Sequence, residues 1–194
     1  MKPWNNWIHV TGSTFGMWLR GDSRGWRSRK HREHVEGDYT NPPPRGMYTE
    51  MHERSKSLMT RPGVRLTWNA RVQACRVMVE ALRFHHAEVV DFCVGEIHYH
   101  GLVRFYPIDT ETWRIIRLEE RAQERAPTHL MGIAKKEAAR ALSREGLADP
   151  GGVFARGCGR RFIANKRHFN HVGMKYIPDH VKQGAAVYSL LFGT

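Results

Sequence analysis

The chain has 194 residues, of which 31 are Lys or Arg and 19 are Asp or Glu, so its formal net charge is +12. This length is typical of one domain, so we expect a single domain over residues 1–194. The three cysteines, Cys75, Cys93 and Cys158, lie far apart, which excludes a disulfide framework and a cysteine zinc finger. Neither a membrane span of ~20 apolar residues nor a signal peptide is evident. We therefore expect a basic cytoplasmic protein with a polyanionic partner and no membrane association.

The first predicted element is a strand over Trp7–Phe15, which is rich in aromatic and β-branched residues. The segment from about Arg20 to Pro62 differs from the rest of the chain, with a basic run at Arg27–Arg32 and three prolines at Pro42–Pro44. Consecutive prolines are incompatible with a helix and lack the backbone donors that a sheet needs. We therefore predict a long loop insertion at about residues 20–62, between the first strand and the first helix.

Helical and strand patterns alternate in the remaining sequence. Apolar residues at helical spacing predict the first helix over Asn69–His86, and two strand-like runs that meet at Gly95-Glu96 predict a β-hairpin. The elements predicted after the first helix are strands at Ala87–Val94 and Ile97–Tyr106, a helix over Thr128–Glu145, an edge strand within Val153–Ile163 and a last helix over Lys166–Gln183. The order β-α-β-β-α-β-α predicts an α+β fold, in which helices pack on the faces of an antiparallel sheet.

Two histidines in the third predicted strand are the sharpest local feature. His98 and His100 flank Tyr99, and because side chains alternate along a strand, both imidazoles lie on one face, about 6–7 Å apart. Such a pair supplies half of a metal site. The same spacing also arises by chance in a chain with 12 histidines, so both interpretations stay open at this point. Tyr99 is expected to point to the opposite face.

A tyrosine and a histidine lie one turn apart in the last predicted helix. Tyr176 and His180 are therefore neighbours on the helix surface, and Phe169 and Val172 share their stripe. Taken alone, the pair is most simply a core tyrosine with a capping histidine. If this helix packs on the histidine strand, it adds a third imidazole and a phenol to the pair already there. Pro178 is expected to kink the helix, which would move His180 away from the ideal position.

Basic residues form two further clusters. One is a stripe on the second predicted helix, and the other is a block that precedes the last helix. The stripe consists of Lys136, Arg140 and Arg144, and the block of Arg156, Arg160, Arg161, Lys166 and Arg167. A solvated helix face is the ordinary explanation of such a stripe, but two clusters in a chain of this charge favour contact with phosphates.

Four segments together resemble the HUH single-tyrosine transposases, especially the bacterial REP-associated tyrosine transposases and their insertion-sequence relatives. These segments are the first strand with GMWLRGDSRGW, IHYHGLVRF, HLMGIAKKEAARALSREG and MKYIPDHVKQGAAV. The histidine pair and the tyrosine, in this order and spacing, carry most of the resemblance. It implies an HUH endonuclease fold with a ferredoxin-like or RRM-like core.

The resemblance also implies a reaction, namely the cleavage and rejoining of single-stranded or hairpin DNA through a covalent 5′-phosphotyrosine. His98 and His100 correspond to the family's metal ligands and Tyr176 to its nucleophile. His180 occupies the position, four residues after the tyrosine, where relatives place a third ligand, often Gln or Asn. Further implications are Mg²⁺ or Mn²⁺ as the ion, a homodimer, and a nucleoid-associated protein of the bacterial cytoplasm. The DNA-binding residues would be Lys136, Arg140, Arg144, Arg160, Arg161, Lys166 and Arg167.

Other functions stay open at the level of sequence. A replication-type nickase would use the same site without mobility. In a non-catalytic DNA- or RNA-binding protein, by contrast, the histidine pair would be incidental. A covalent protein–DNA adduct that depends on Tyr176 distinguishes an enzyme from a binding protein.

Overall fold

A computed structural model of the protein describes residues 7–23, 44, 46–105 and 122–191, with side chains from residue 127 onwards in the last range. Its elements are β1 (Trp7–Ser13), α1 (Thr49–Ser57), α2 (Trp68–Phe84), β2 (Glu88–Val94), β3 (His98–Arg104), α3 (Ala122–Arg144), β4 (Gly159–Phe162), α4 (Lys166–His171), a π-helical turn (Val172–Tyr176), α5 (Ile177–Lys182) and β5 (Ala186–Ser189). The basic run Arg27–Arg32 and two of the three consecutive prolines, Pro42 and Pro43, lie outside the described residues.

The strands form one five-stranded antiparallel sheet in the order β4-β1-β3-β2-β5. Helices α2 and α3 pack against each other and cover one face through buried residues such as Met78 and Met131. The last helical segment, α4 to α5, covers the other face through Val172 and Ile177. The predicted α+β fold is thus confirmed, and β1 to β4 with α2 and α3 have the β-α-β-β-α-β connectivity of a ferredoxin-like core.

Several predicted boundaries differ from those observed. The loop predicted at about residues 20–62 contains helix α1, in which no residue is buried, so its sequence carried no amphipathic pattern that would predict it. Helix α3 begins at Ala122 rather than at Thr128 and contains Pro127, which the prediction had left outside the helix. The strand predicted within Val153–Ile163 is limited to β4, which does lie at the sheet edge.

Strand β5 was not predicted. Its four residues follow Gly184, where the last predicted helix was expected to end, and they pair with β2. A strand this short has no periodicity of its own, so only its partner identifies it. Among the described helices, none is long and apolar enough to cross a membrane.

Candidate active site

Strand β3 presents its two histidines to the sheet face that the last helical segment covers. In the antiparallel register with β1, His98 lies opposite Ser13 and His100 opposite Thr11. Tyr99 points to the other face, where it is fully buried and stacks on Phe92 with ring centroids 5.9 Å apart. The predicted alternation of this strand is therefore confirmed.

The helical segment that carries Tyr176 and His180 docks on the sheet through apolar contacts. Phe169 meets Trp7 of β1 edge to face, with ring centroids 5.2 Å apart, and Val172 and Ile177 are buried in the same small core. The segment begins at Asn165, whose side chain accepts a hydrogen bond from the backbone N–H of His168 at 2.9 Å. A capped start and a buried stripe explain why this sequence forms a helix against this face.

A π turn interrupts the segment immediately before Pro178. Ile177 donates its backbone N–H to the carbonyl of Val172, five residues earlier, and Pro178 then lies in the first turn of α5. A proline in a first turn loses little, because the N–H it lacks would have no partner within the helix. A new turn thus starts at the proline, yet His180 stays beside Tyr176, with ring centroids 4.9 Å apart.

The three histidines predicted as ligands converge. His180 stacks on His100 with ring centroids 4.4 Å apart and an interplanar angle of 11°. Its Nδ1 lies 3.2 Å from Nε2 of His98. One ligand nitrogen from each residue falls within 4.8 Å of the others, so the group is compatible with a divalent metal ion. In the part of the chain that the structure describes, it is the only such group of His, Cys, Asp or Glu.

The donor set of this group is three imidazoles and no described carboxylate. Imidazole nitrogen suits transition-metal ions, whereas Mg²⁺ takes oxygen ligands. By its donor set, the group is compatible with a divalent transition-metal ion.

His9 is a functional candidate that the sequence analysis missed. It lies on β1, is buried, and places its Nε2 atom 3.3 Å from Nδ1 of His100. Its ring centroid is 5.1 Å from that of Tyr176. Strand alternation determines on which face of β1 the His9 side chain lies, but only the pairing of β1 with β3 brings His9 to the site.

Burial favours the neutral form of three imidazoles of the site, those of His9, His100 and His180. Burial, reinforced by the neighbouring His168 and Arg161, lowers the pKa of His9 to about 4. Burial also lowers the pKa of His100, with a further contribution from His180, and it lowers the pKa of His180 itself. Neutral imidazoles retain a lone pair, which is the form that binds a metal ion.

The predicted basic residues are divided between the two sides of the sheet. Arg161 lies opposite His9 in the β1–β4 register and so shares its face, whereas Arg160 lies opposite the core residue Val10. Lys166 and Arg167 begin α4 on the Tyr176 side and are exposed. The stripe on α3 consists of Lys136, Arg140 and Arg144. It is also exposed, but α3 covers the opposite face of the sheet.

Comparisons with models of known protein families, with curated proteins and with solved structures found no match.

Proposed function

We propose that this protein is a DNA transposase of the HUH single-tyrosine type, a metal-dependent enzyme that cleaves and rejoins single-stranded DNA. The observation that carries the proposal is the position of Tyr176, whose ring centroid lies 5.0 Å from that of His100 and 4.9 Å from that of His180. A core tyrosine has apolar neighbours, but this half-buried phenol lies against the candidate metal ligands. The resemblance of four sequence segments to this family supports the same conclusion.

In the proposed reaction, Tyr176 is the nucleophile. Its phenol oxygen attacks the scissile phosphorus, so that a tyrosine–phosphorus bond forms and the bond from phosphorus to the 3′-oxygen breaks. The phenol loses one proton and the departing 3′-oxygen gains one. The products are a 5′-phosphotyrosine and a free 3′-hydroxyl, and no oxidant or reductant is needed. A second 3′-hydroxyl reverses the step on a new strand without ATP, because the covalent bond retains the energy of the phosphodiester.

His98, His100 and His180 would hold the divalent ion. The resemblance implies Mg²⁺ or Mn²⁺ for this position, whereas three imidazole donors favour a softer transition-metal ion. When bound, the ion polarises the scissile phosphate and favours the phenolate of a tyrosine, whose ordinary pKa is near 10. The chain itself orients the phenol, since His100 and His180 meet the Tyr176 ring edge to face at interplanar angles of 79° and 71°. Such contacts restrict the orientations that the ring can adopt.

The proposed partner is single-stranded or hairpin DNA. Arg161, Lys166 and Arg167 lie on the side of the sheet that carries Tyr176, where phosphates of a bound strand would run. A homodimer and a nucleoid-associated location in the bacterial cytoplasm follow from the resemblance and belong to the same proposal.

The decisive experiment is the detection of a covalent protein–DNA adduct. A library of hairpin oligonucleotides with randomised single-stranded flanks is incubated with the protein and Mn²⁺, with the label on the 3′ end in one sample and on the 5′ end in the other. A 5′-phosphotyrosine retains the 3′-labelled fragment in a denaturing gel and releases the 5′-labelled fragment. DNA binding without an adduct would instead establish a non-catalytic binding protein.

The choice between a transposase and a replication-type nickase depends on the substrate. If hairpins flanking the gene are cleaved and their ends are joined, the protein acts on its own mobile element. If cleavage is confined to a replication origin, it is a nickase that uses the same chemistry.

A further inference from the structure

His9 is the buried imidazole of the site to which the proposed reaction gives no role. We propose that His9 is a positioning residue that accepts the Nδ1–H of His100, and thereby leaves Nε2 of His100 to bind the metal ion. This inference rests on the proposed function, because it assigns a supporting residue to the metal site of that function. It goes beyond the resemblance, which gives His9 no role.

The argument begins with the contact between the two rings. Nε2 of His9 and Nδ1 of His100 are 3.3 Å apart and both rings are buried. A neutral imidazole has one N–H and one lone pair, so one of the two rings donates and the other accepts.

Only one direction of this hydrogen bond leaves His100 able to bind an ion. If His9 were the donor, the lone pair of His100 at Nδ1 would be occupied and Nε2 would carry the proton. If His100 is the donor, its Nε2 lone pair is available. Metal-binding histidines generally donate their other N–H to a neighbouring acceptor, which fixes the tautomer and the ring orientation.

The fold places His9 well for this role. His100 lies opposite Thr11 in the β1–β3 register, so His9 is its diagonal neighbour on the same face. The His9 ring also contacts Tyr176 at an interplanar angle of 73°. One side chain of β1 therefore contacts both a proposed ligand and the proposed nucleophile.

Two variants separate positioning from simple packing. In His9→Gln, the side-chain amide places an oxygen acceptor near the position of Nε2. In His9→Met, an unbranched apolar side chain fills similar space without an acceptor for the N–H. Thermal unfolding of the full-length variants reports how much each substitution costs in stability.

The first measurement is the tautomer of His100 in the metal-free protein, by long-range ¹H–¹⁵N correlation NMR. We expect the Nδ1–H form in the wild type and in His9→Gln, and a shift towards the Nε2–H form in His9→Met. A wild-type His100 protonated at Nε2 would overturn the inference. Since this measurement needs neither DNA nor metal, its outcome is separate from that of the adduct assay.

The second measurement is Mn²⁺ affinity, by the EPR signal of the free ion. Loss of a partner that orients a ligand typically costs about 10–100-fold in metal affinity, so we expect that loss for His9→Met and near wild-type affinity for His9→Gln. Equal affinity of His9→Met and the wild type would contradict the inference. A wild type that binds Mn²⁺ but forms no adduct would overturn the proposed function and leave the role of His9 standing.

Discussion

His100 and His180, which are 80 residues apart in the chain, stack with ring centroids 4.4 Å apart and an interplanar angle of 11°. The contact joins strand β3 to helix α5. It exists because Val172 and Ile177 bury the last helical segment against the same sheet face from which His100 projects. Changes that shift this segment on the sheet should therefore affect both the proposed metal site and the position of Tyr176.

Replacement of the proposed nucleophile should abolish adduct formation. Tyr176→Phe removes the attacking oxygen, so we expect no denaturant-resistant adduct while single-stranded DNA still binds. Tyr99→Phe is the matched control, because Tyr99 lies on the opposite sheet face and its buried hydroxyl has no hydrogen-bond partner among the described residues. This control should form the adduct at the wild-type rate, with a free energy of unfolding within about 1 kcal/mol of the wild type. An adduct with Tyr176→Phe would assign the nucleophile to another residue.

Removal of the third imidazole should weaken metal binding. His180→Ala deletes a direct ligand. Loss of a residue that only orients a ligand lowers metal affinity by about 10–100-fold, so we expect His180→Ala to lower Mn²⁺ affinity by on the order of 100-fold. His180→Gln supplies an oxygen donor at the same position and should retain adduct formation. His171→Ala, an exposed histidine of α4, is the control and should bind Mn²⁺ like the wild type. Titration of Mn²⁺ followed by EPR measures all three variants, and unchanged affinity of His180→Ala would exclude this ligand.

Two adjacent arginines should differ in their effect on DNA. Arg161 shares the face of His9, whereas Arg160 lies on the face that α2 and α3 cover. Arg161→Ala should weaken binding of a single-stranded oligonucleotide about tenfold. It should also lower the slope of log K against log salt concentration by about one, because one phosphate contact is lost. Arg160→Ala should change neither quantity. Fluorescence anisotropy over a range of salt concentrations provides the test, and equal effects of the two variants would mean that the strand does not follow this face.

A buried carboxyl beside the π turn should make stability depend on pH. Asp91 accepts a hydrogen bond from Ser189, its second oxygen has no partner among the described residues, and burial raises its pKa above the ordinary value. The folded state therefore holds this proton more tightly than the unfolded state does. The resulting stabilisation is fully present below the ordinary aspartate pKa and is lost as pH rises through the raised value.

Asp91→Asn removes this titration. At neutral pH it should raise the free energy of unfolding by about 1–3 kcal/mol, because the amide is uncharged whereas the wild-type carboxylate is a buried charge with one unpartnered oxygen. The gain should disappear as pH falls to about 4, where the carboxyl is protonated. Asp149→Asn, at an exposed position, is the control and should leave the pH profile unchanged. Urea unfolding over this pH range gives the comparison. Parallel profiles for Asp91→Asn and the wild type would show that the carboxyl does not titrate as its burial requires.

Local periodicity explains what could be predicted about the candidate site. The alternation of a strand places His98 and His100 on one face and Tyr99 on the other, and the helical repeat makes Tyr176 and His180 neighbours. Both relationships depend on residues at most four positions apart, so they hold wherever the elements pack. The same reasoning failed for β5 and α1, whose sequences carry no pattern strong enough to indicate their structure.

The sequence alone predicts an α+β chain with two pairs of functional side chains on defined faces, His98 with His100 and Tyr176 with His180. The tertiary structure decided that these pairs meet, that His9 joins them, and that the stripe of Lys136, Arg140 and Arg144 lies on the other side of the sheet. The physical reason is that strand order and helix docking depend on burial shared between distant segments. No single segment encodes which face of the sheet another segment will cover.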